Sequence, residues 1–355
     1  MKKTESSNFL GFINKKLEQY KYSFSIDELK DIFIQKKQKD QIKEYLKQYE
    51  DKKYIFALLE DFYLIIPPEE RCNKQIELMN YIEDFAFFLE KKDKYYVSWF
   101  TASRYHGACH QMYFYFFLSI NEVPEVLKEK YYKEKKKTEK NIIYIDQGYY
   151  GICIVINRDF PPKQTKIIPP KTEPIFSADS GYIGLKGITP KYPIYQTDRK
   201  NIWRKESVEY GYGFNFSSPS LTAIDFIHDR YHGGISGILS NIQELSEEMT
   251  IDDIEELLSW YPHKHTIQRF GFLMELLSEN ASLIPPIRKH MEKIGLETIL
   301  LSTEKEVTSQ YIDRERHERI KKIAKKWQIK ITFILDNDLD WPDCYSTDKI
   351  EFYEH

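Results

Sequence analysis

Cysteine is scarce in this chain, with four in 355 residues (Cys72, Cys109, Cys153 and Cys344), far apart and without a C-x-x-C pair. That spacing excludes a zinc ribbon and a disulfide framework and fits a reducing compartment. No apolar run approaches the ~20 residues that cross a bilayer. The polar start Met1 to Asn8 is not a secretory signal, so a cytoplasmic protein with no membrane partner is expected. A large excess of either charge is missing too: 52 Lys and Arg against 55 Asp and Glu leave −3, which excludes the global positive field of a non-specific nucleic-acid coat. Any DNA contact must come from a local patch.

Nucleotide and nucleophile motifs are also absent. Ser180 to Gly187 is glycine-rich but matches neither G-x-x-x-x-G-K-S/T nor G-x-G-x-x-G, and bulky residues stand where a phosphate cradle needs close backbone approach. No G-x-S-x-G elbow or Cys/His motif of known spacing names a nucleophile. The chain is therefore expected not to be an enzyme and to carry no cofactor. Lys, Ile and Tyr are abundant and Ala and Gly few, as an AT-rich coding sequence produces, so the aromatic content alone says nothing about function.

What is present begins near the amino terminus. Phe9, Phe12, Ile13, Leu17 and Tyr20 space out as one face of an opening helix. Ser25 with Glu28 forms a capping box, and Ile26, Leu29, Ile32 and Phe33 give a second helical face. After the polar break Gln35 to Lys39, Ile42, Tyr45, Leu46 and Tyr49 predict a third helix, with Lys39, Lys43 and Lys47 along one flank. Tyr54 to Leu59 and Phe62 to Ile66, around Glu60-Asp61, read as a hairpin that ends at Pro67-Pro68. Helix, turn, lysine-bearing helix and hairpin is the winged-helix order, in which the lysine-bearing helix enters the major groove. Between 30 and 47, Lys30, Lys36, Lys37, Lys39, Lys43 and Lys47 against Asp31, Asp40 and Glu44 leave +3 on an acidic protein. Lys36, Lys37, Lys39, Lys43 and Lys47 are the expected phosphate contacts, and Gln38 and Gln41 the expected base readers.

Farther on, apolar spacing predicts a helix over 75–91, a block over 95–110, and a buried strand over 112–120. The lysine-rich stretch 128–140 reads as an exposed helix or loop that could also extend a nucleic-acid footprint. Short strands over 142–145, 152–156, 192–195 and 210–216, among Pro-rich loops, make a β-rich middle. Ser218-Pro219-Ser220 opens a helix, and further helices follow over 235–248, 251–259, 264–279 and 286–294. A basic helix 313–326 and a strand 327–335 close the chain.

Three constellations invite a metal reading. His106, Cys109 and His110 fall within one helical turn but lack a fourth ligand at a recognisable spacing, and Gly107 reads as a helix end. His228 and His232, near Asp225 and Asp229, are followed by Gly233-Gly234, which reads as a helix stop. Asp336, Asp338 and Asp340 follow an apolar strand, as carboxylates for divalent ions do, yet no upstream Gly-Ser turn and no EF-hand spacing accompanies them. No metal site is expected.

Three segments together resemble the AbiEi family of antitoxins from bacterial type IV toxin-antitoxin and phage-abortive systems. They are the winged helix closing in Asp61-Phe62-Tyr63-Leu64-Ile65, the segment Tyr95 to Gln111 with its His106-Gly107, and Ser217 to Ile227 followed by Gly233-Gly234. The resemblance covers about 1–125 and 205–280; the hairpin turn departs from it in carrying Glu60-Asp61 where the family usually has a basic residue or glycine. It implies an α+β chain, with a winged-helix DNA-binding domain over 1–68 and a mixed α/β antitoxin domain over 69–355; the β-rich insertion over 128–205 and the acidic tail after 335 depart from the family and inherit no role from it. It also implies repression of the protein's own promoter through inverted repeats in double-stranded DNA. A nucleotidyltransferase toxin encoded alongside would be counteracted, without need of a stable complex. The alternatives are a metal-dependent enzyme that modifies the toxin or a nucleotide, using Asp336 and Asp338, and an interaction module that binds the toxin directly.

Overall fold

The computed structural model describes residues 3–29, 39–59, 61–68, 81–89, 95–109, 115–138, 141–147, 150–157, 159–164, 194–196, 198–206, 213–228, 234–301 and 314–331. The fold is mixed α+β. It divides into two compact units, one of Met1–Tyr96, Phe114–Phe160 and Glu206–Phe214, the other of Val97–Tyr113, Pro161–Lys205 and Asn215–His355.

The first unit opens with α1 (Lys3–Glu18), β1 (Ser23–Ser25), α2 (Lys39–Asp51), β2 (Ile55–Leu59) and β3 (Phe62–Ile65). The three strands form one antiparallel sheet in the order β1-β3-β2, with Ser23 opposite Leu64 and Ile55 opposite Ile65. The predicted hairpin is present, and β1 adds a third strand that its three residues were too few to announce. Phe9 and Ile13 of α1, Phe24, Ile26 and Leu29, the apolar face of α2, and Ile55, Tyr63 and Ile65 make one core. Phe62 packs on Phe85 and Phe88 of α3 (Ile82–Leu89). The helix predicted from Ser25 starts as a 3-10 turn over Ile26–Leu29, and the Ser25 N–H donates to Glu28 Oε1 at 2.9 Å, the backbone half of the capping box.

After β4 (Tyr95–Val97) and α4 (Trp99–Tyr105), the first unit resumes with β5 (Tyr115–Ile120), α5 (Lys128–Thr138), β6 (Ile142–Gln147) and β7 (Tyr150–Ile156). β7 lies parallel to β5 from Tyr115 opposite Gly151 to Ile120 opposite Ile156, and β6 is antiparallel to β7. Parallel neighbours need a crossover, which α5 and β6 supply. Ile143, Ile152, Cys153 and Ile154 are fully buried, as a strand covered on both faces requires. Cys109 and Cys153 are buried and in no disulfide.

The second unit contains α4, β8 (Ile194–Gln196), β9 (Ile202–Glu206) up to Lys205, β10 (Gly213–Ser217) from Asn215 and α6 (Pro219–His228), followed by α7 (Gly234–Glu248), α8 (Ile251–Leu258), α9 (Lys264–Leu277), α10 (Ile284–Ile294), β11 (Ile299–Leu300), α11 (Arg314–Lys326) and β12 (Ile329–Lys330). Phe216 of β10 pairs in parallel with Val97, and β8 and β9 are antiparallel. The block expected over 95–110 therefore splits. Tyr95-Tyr96-Val97 is aromatic and β-branched and forms a strand, the chain turns through Ser98 and Trp99 at φ 52°, and only seven residues are helical. β9 was not anticipated, because Ile202-Trp203-Arg204-Lys205-Glu206 has no clean alternation. The strand predicted over 327–335 is limited, among described residues, to Ile329–Lys330, parallel to β11.

α6 is the hub of this unit: every residue from Pro219 to Ile227 is buried, and it packs on α4, α7, α8 and α9. Its start is held by a polar node. Pro219 occupies the first helical position, where its missing N–H costs nothing. The next N–H, of Ser220, donates to Asp253 Oδ2 at 3.0 Å. Asn201 donates from Nδ2 to Asp253 Oδ1 at 2.8 Å and accepts from Trp260 Nε1 at 2.7 Å. Burial pushes the Asp253 carboxyl up, and hydrogen bonds from Ser218, Ser220 and Asn201 pull it back. At the other end of the bundle, Glu275 of α9 accepts from Arg288, Lys326 and Trp327 Nε1 at 2.6, 2.5 and 2.7 Å. This ties α10 and α11 to α9.

Candidate nucleic-acid interface

α2 is helical because Ile42, Tyr45, Leu46 and Tyr49 fall on one face, and all four are buried in the core with Phe9, Ile13 and Phe24. The Phe9 ring sits 4.6 Å from that of Tyr49 and 5.8 Å from that of Tyr45, while the two tyrosine hydroxyls share a 3.0 Å hydrogen bond. The helix ends with Lys53 at φ 58°, its N–H on the Glu50 carbonyl and the Tyr54 N–H on the Tyr49 carbonyl. Those paired bonds are the Schellman closure, here with a lysine in the left-handed position that glycine usually takes.

Gln41, Glu44, Lys47 and Gln48 are exposed on the opposite arc of α2. Lys43 lies at the margin between the arcs, half-buried, with Nζ 3.2 Å from Asp61 Oδ1 in the β2–β3 turn. A second tie runs from the end of α2, where Glu50 Oε1 accepts the Ala57 N–H at 2.8 Å beside the β-bulge of β2. Two carboxylates thus fix α2 against the hairpin, and Lys43 gives up part of its charge to the nearer one.

Of the residues expected to meet DNA, Gln41 and Lys47 stand on the exposed surface and Lys43 is engaged with Asp61. Lys36, Lys37 and Gln38 lie outside the described residues, and Lys39 is described only as the first backbone position of α2. The Lys43–Asp61 link was missed by the sequence reading. Its signal was the acidic turn itself, which was read only as a departure from a basic wing.

Of the three metal constellations, only His106, Cys109, Asp225 and His228 lie within the described residues. His106 donates from Nε2 to the Ser217 carbonyl at 2.8 Å, with its ring edge on Trp203, and Cys109 is buried; His110 lies outside the described residues. The Nδ1 of His228 is 3.4 Å from Thr266 Oγ1 and its ring rests on that of His263, while Asp229 and His232 are outside. So are Ser180 to Gly187 and Asp336, Asp338 and Asp340. Asn201 and Asp253 were also not anticipated, although Thr250 three residues before Asp253 is a capping pattern, and its Oγ1 accepts the Asp253 N–H at 3.1 Å.

No family model and no curated protein matches the chain. Among solved structures, the crystal structure of the RV2827C protein from Mycobacterium tuberculosis is similar, with a TM-score of 0.52 over 94% of this chain and 92% of that one, at 10% sequence identity. At that identity the likeness carries the fold alone. No helix among the described residues is long and apolar enough to cross a membrane.

Proposed function

We propose that residues 1–68 form a winged-helix DNA-binding domain, and that the chain is an antitoxin and autorepressor of a toxin-antitoxin operon. The observation that carries this reading is the division of α2: one arc is locked into a core that, among the described residues, is built from residues 9–65, and the other presents Gln41, Glu44, Lys47 and Gln48 outward. The strand order β1-β3-β2, with a hairpin beside the exposed helix, supports it. In this reading α2 lies in the major groove, Gln41 reads a base edge, and Lys47 contacts phosphate with Lys36, Lys37 and Lys39. Gln38 flanks Gln41 as a second reader. Lys43 positions the wing through Asp61 as well as adding charge near the backbone. Repression through inverted repeats requires two such domains per operator.

Antitoxin activity against a nucleotidyltransferase toxin rests on the AbiEi resemblance, as does its independence of a stable complex. The test is a mobility shift with the DNA upstream of the protein's own gene, against a scrambled duplex of equal length, joined to rescue of growth when the neighbouring gene is induced. Retarded operator with rescue supports the whole reading. Equal affinity for both duplexes refutes the autorepressor, and retardation without rescue refutes the antitoxin.

A further inference from the structure

α5 carries a feature that the duplex-binding reading does not use. Its sequence from 128 to 138 holds six lysines (128, 130, 133, 135, 136 and 137) against Glu129 and Glu134, so it is +4 within a chain of −3. The helix is firmly seated on one side. Leu127 and Tyr131 are buried, the Tyr131 hydroxyl donates to Asn141 Oδ1 at 2.9 Å, and Lys135 lies over the Tyr131 ring at 5.3 Å. The other side presents Lys128, Glu129, Tyr132, Lys133 and Lys136 to solvent. Tyr132 is 58% exposed, in contrast to its buried neighbour. Its ring meets that of Tyr131 edge to face at 5.3 Å, which restrains it on the surface. Lys128, Tyr132 and Lys136 recur every fourth residue, a step of about 6 Å along the helix.

We infer that this face is a second nucleic-acid site, one that takes a single strand: the Tyr132 ring stacks on an unpaired base while Lys133 and Lys136 meet the flanking phosphates. A duplex hides its base faces and has no use for an exposed ring, whereas a single strand offers one at every nucleotide. An anionic bilayer is the other surface that attracts lysines, but a helix lying in it buries an apolar face, and no aliphatic side chain is exposed on α5. Among the described side chains, the opposing charges are Glu125, paired with Lys128 at 2.5 Å, and Glu129. They leave Lys133 and Lys136 as the principal cations of the face.

The test is fluorescence anisotropy of the full chain with short labelled oligouridylate and oligothymidylate over a salt series, with a duplex and anionic phosphatidylserine vesicles as comparison probes. Tyr132→Ala is expected to weaken single-strand binding about tenfold, and Tyr132→Phe, which keeps the ring, to restore it. The pair Lys133→Ala and Lys136→Ala is expected to flatten the salt slope by about 1.4, at about 0.7 per phosphate contact on a single strand. All of these side chains are exposed, so unchanged melting of the variants checks that they fold. The inference is overturned by oligonucleotide affinity that ignores Tyr132, or by capture of vesicles and not oligonucleotides. Gln41→Ala with Lys47→Ala should leave single-strand binding intact, so loss of duplex binding and loss of this site are read separately.

Discussion

Lys43 of α2 and Asp61 of the β2–β3 turn lie 3.2 Å apart, each half-buried, so the helix proposed to enter the groove is fastened to its wing by an ion pair. The acidic turn offsets one of the lysine charges of α2 and ties the helix to the hairpin. Asp61→Ala should therefore have two opposite effects. Duplex binding should strengthen several-fold at low salt, as Lys43 is released and one negative charge is lost, and the gain should fade as salt rises. Thermal stability should fall by no more than about 1 kcal/mol, the usual worth of such a partly exposed pair. Mobility shifts at two salt concentrations and a melt measure both.

Two glycines in helices should respond in opposite senses to the same change. Gly271 of α9 faces the Trp327 ring, and a methyl group there overlaps the six-membered ring. Gly271→Ala should cost about 1–3 kcal/mol as the indole is displaced from its packing. Gly11 of α1 has open space around its added Cβ. Gly11→Ala should stabilise by about 0.5–1 kcal/mol through helix propensity. Urea unfolding of the two variants compares them directly.

Asn201 holds the polar node of the second unit together from a left-handed backbone position, at φ 54°. Asn201→Ala orphans the Trp260 N–H and removes a donor from the buried Asp253 carboxylate. A loss of about 1–3 kcal/mol is expected, the cost of leaving the buried Asp253 carboxyl short of a donor, with the half-buried Trp260 adding less. Asn201→Asp should be at least as damaging, since it sets a second carboxylate against Asp253. Denaturant midpoints at neutral pH provide the comparison.

Glu275 should give the bundle an acid limb. Burial pushes its carboxyl up, but hydrogen bonds from Lys326 and Trp327 and the charges of Arg288 and Lys326 outweigh that and hold it below its ordinary value of 4.5. A carboxyl depressed on folding adds stability above its unfolded value, and that stability drains away as pH falls through the folded one. Melting temperature should therefore drop below about pH 4.5 more steeply in the wild type than in Glu275→Gln. Asp253 is shifted the other way, upward by burial, so its contribution works against the fold as pH rises through its own titration.

Strongly periodic segments were legible from the amino acids alone. The apolar faces of α2, α7, α8, α9 and α10, and the hairpin of β2 and β3, are where their spacing puts them. The short elements were not. β1 and β4 have three residues each, and what makes them strands is a partner far away in sequence, Leu64 for Ser23 and Phe216 for Val97. Residues 142–145 and 152–156 were read as short strands of a β-rich middle and are strands, but that β7 lies between β5 and β6 is a pairing that local pattern does not reveal. At the proposed interface, the separation of a buried arc from a polar arc on α2 was visible in the 3.6-residue period. That Lys43 leans on Asp61 was not, because seventeen residues of helix end, turn and strand lie between them and only the fold closes the distance.

The central claim is that the outer arc of α2 reads duplex DNA, and a salt titration of operator affinity with single alanine variants tests it most directly. Lys47→Ala should weaken binding to operator and scrambled duplex alike and reduce the salt slope by about 0.9, the share of one phosphate contact. Gln41→Ala should leave that slope unchanged and cost about 1–3 kcal/mol of preference for the operator. Wild-type affinity, slope and preference in both variants would contradict the account.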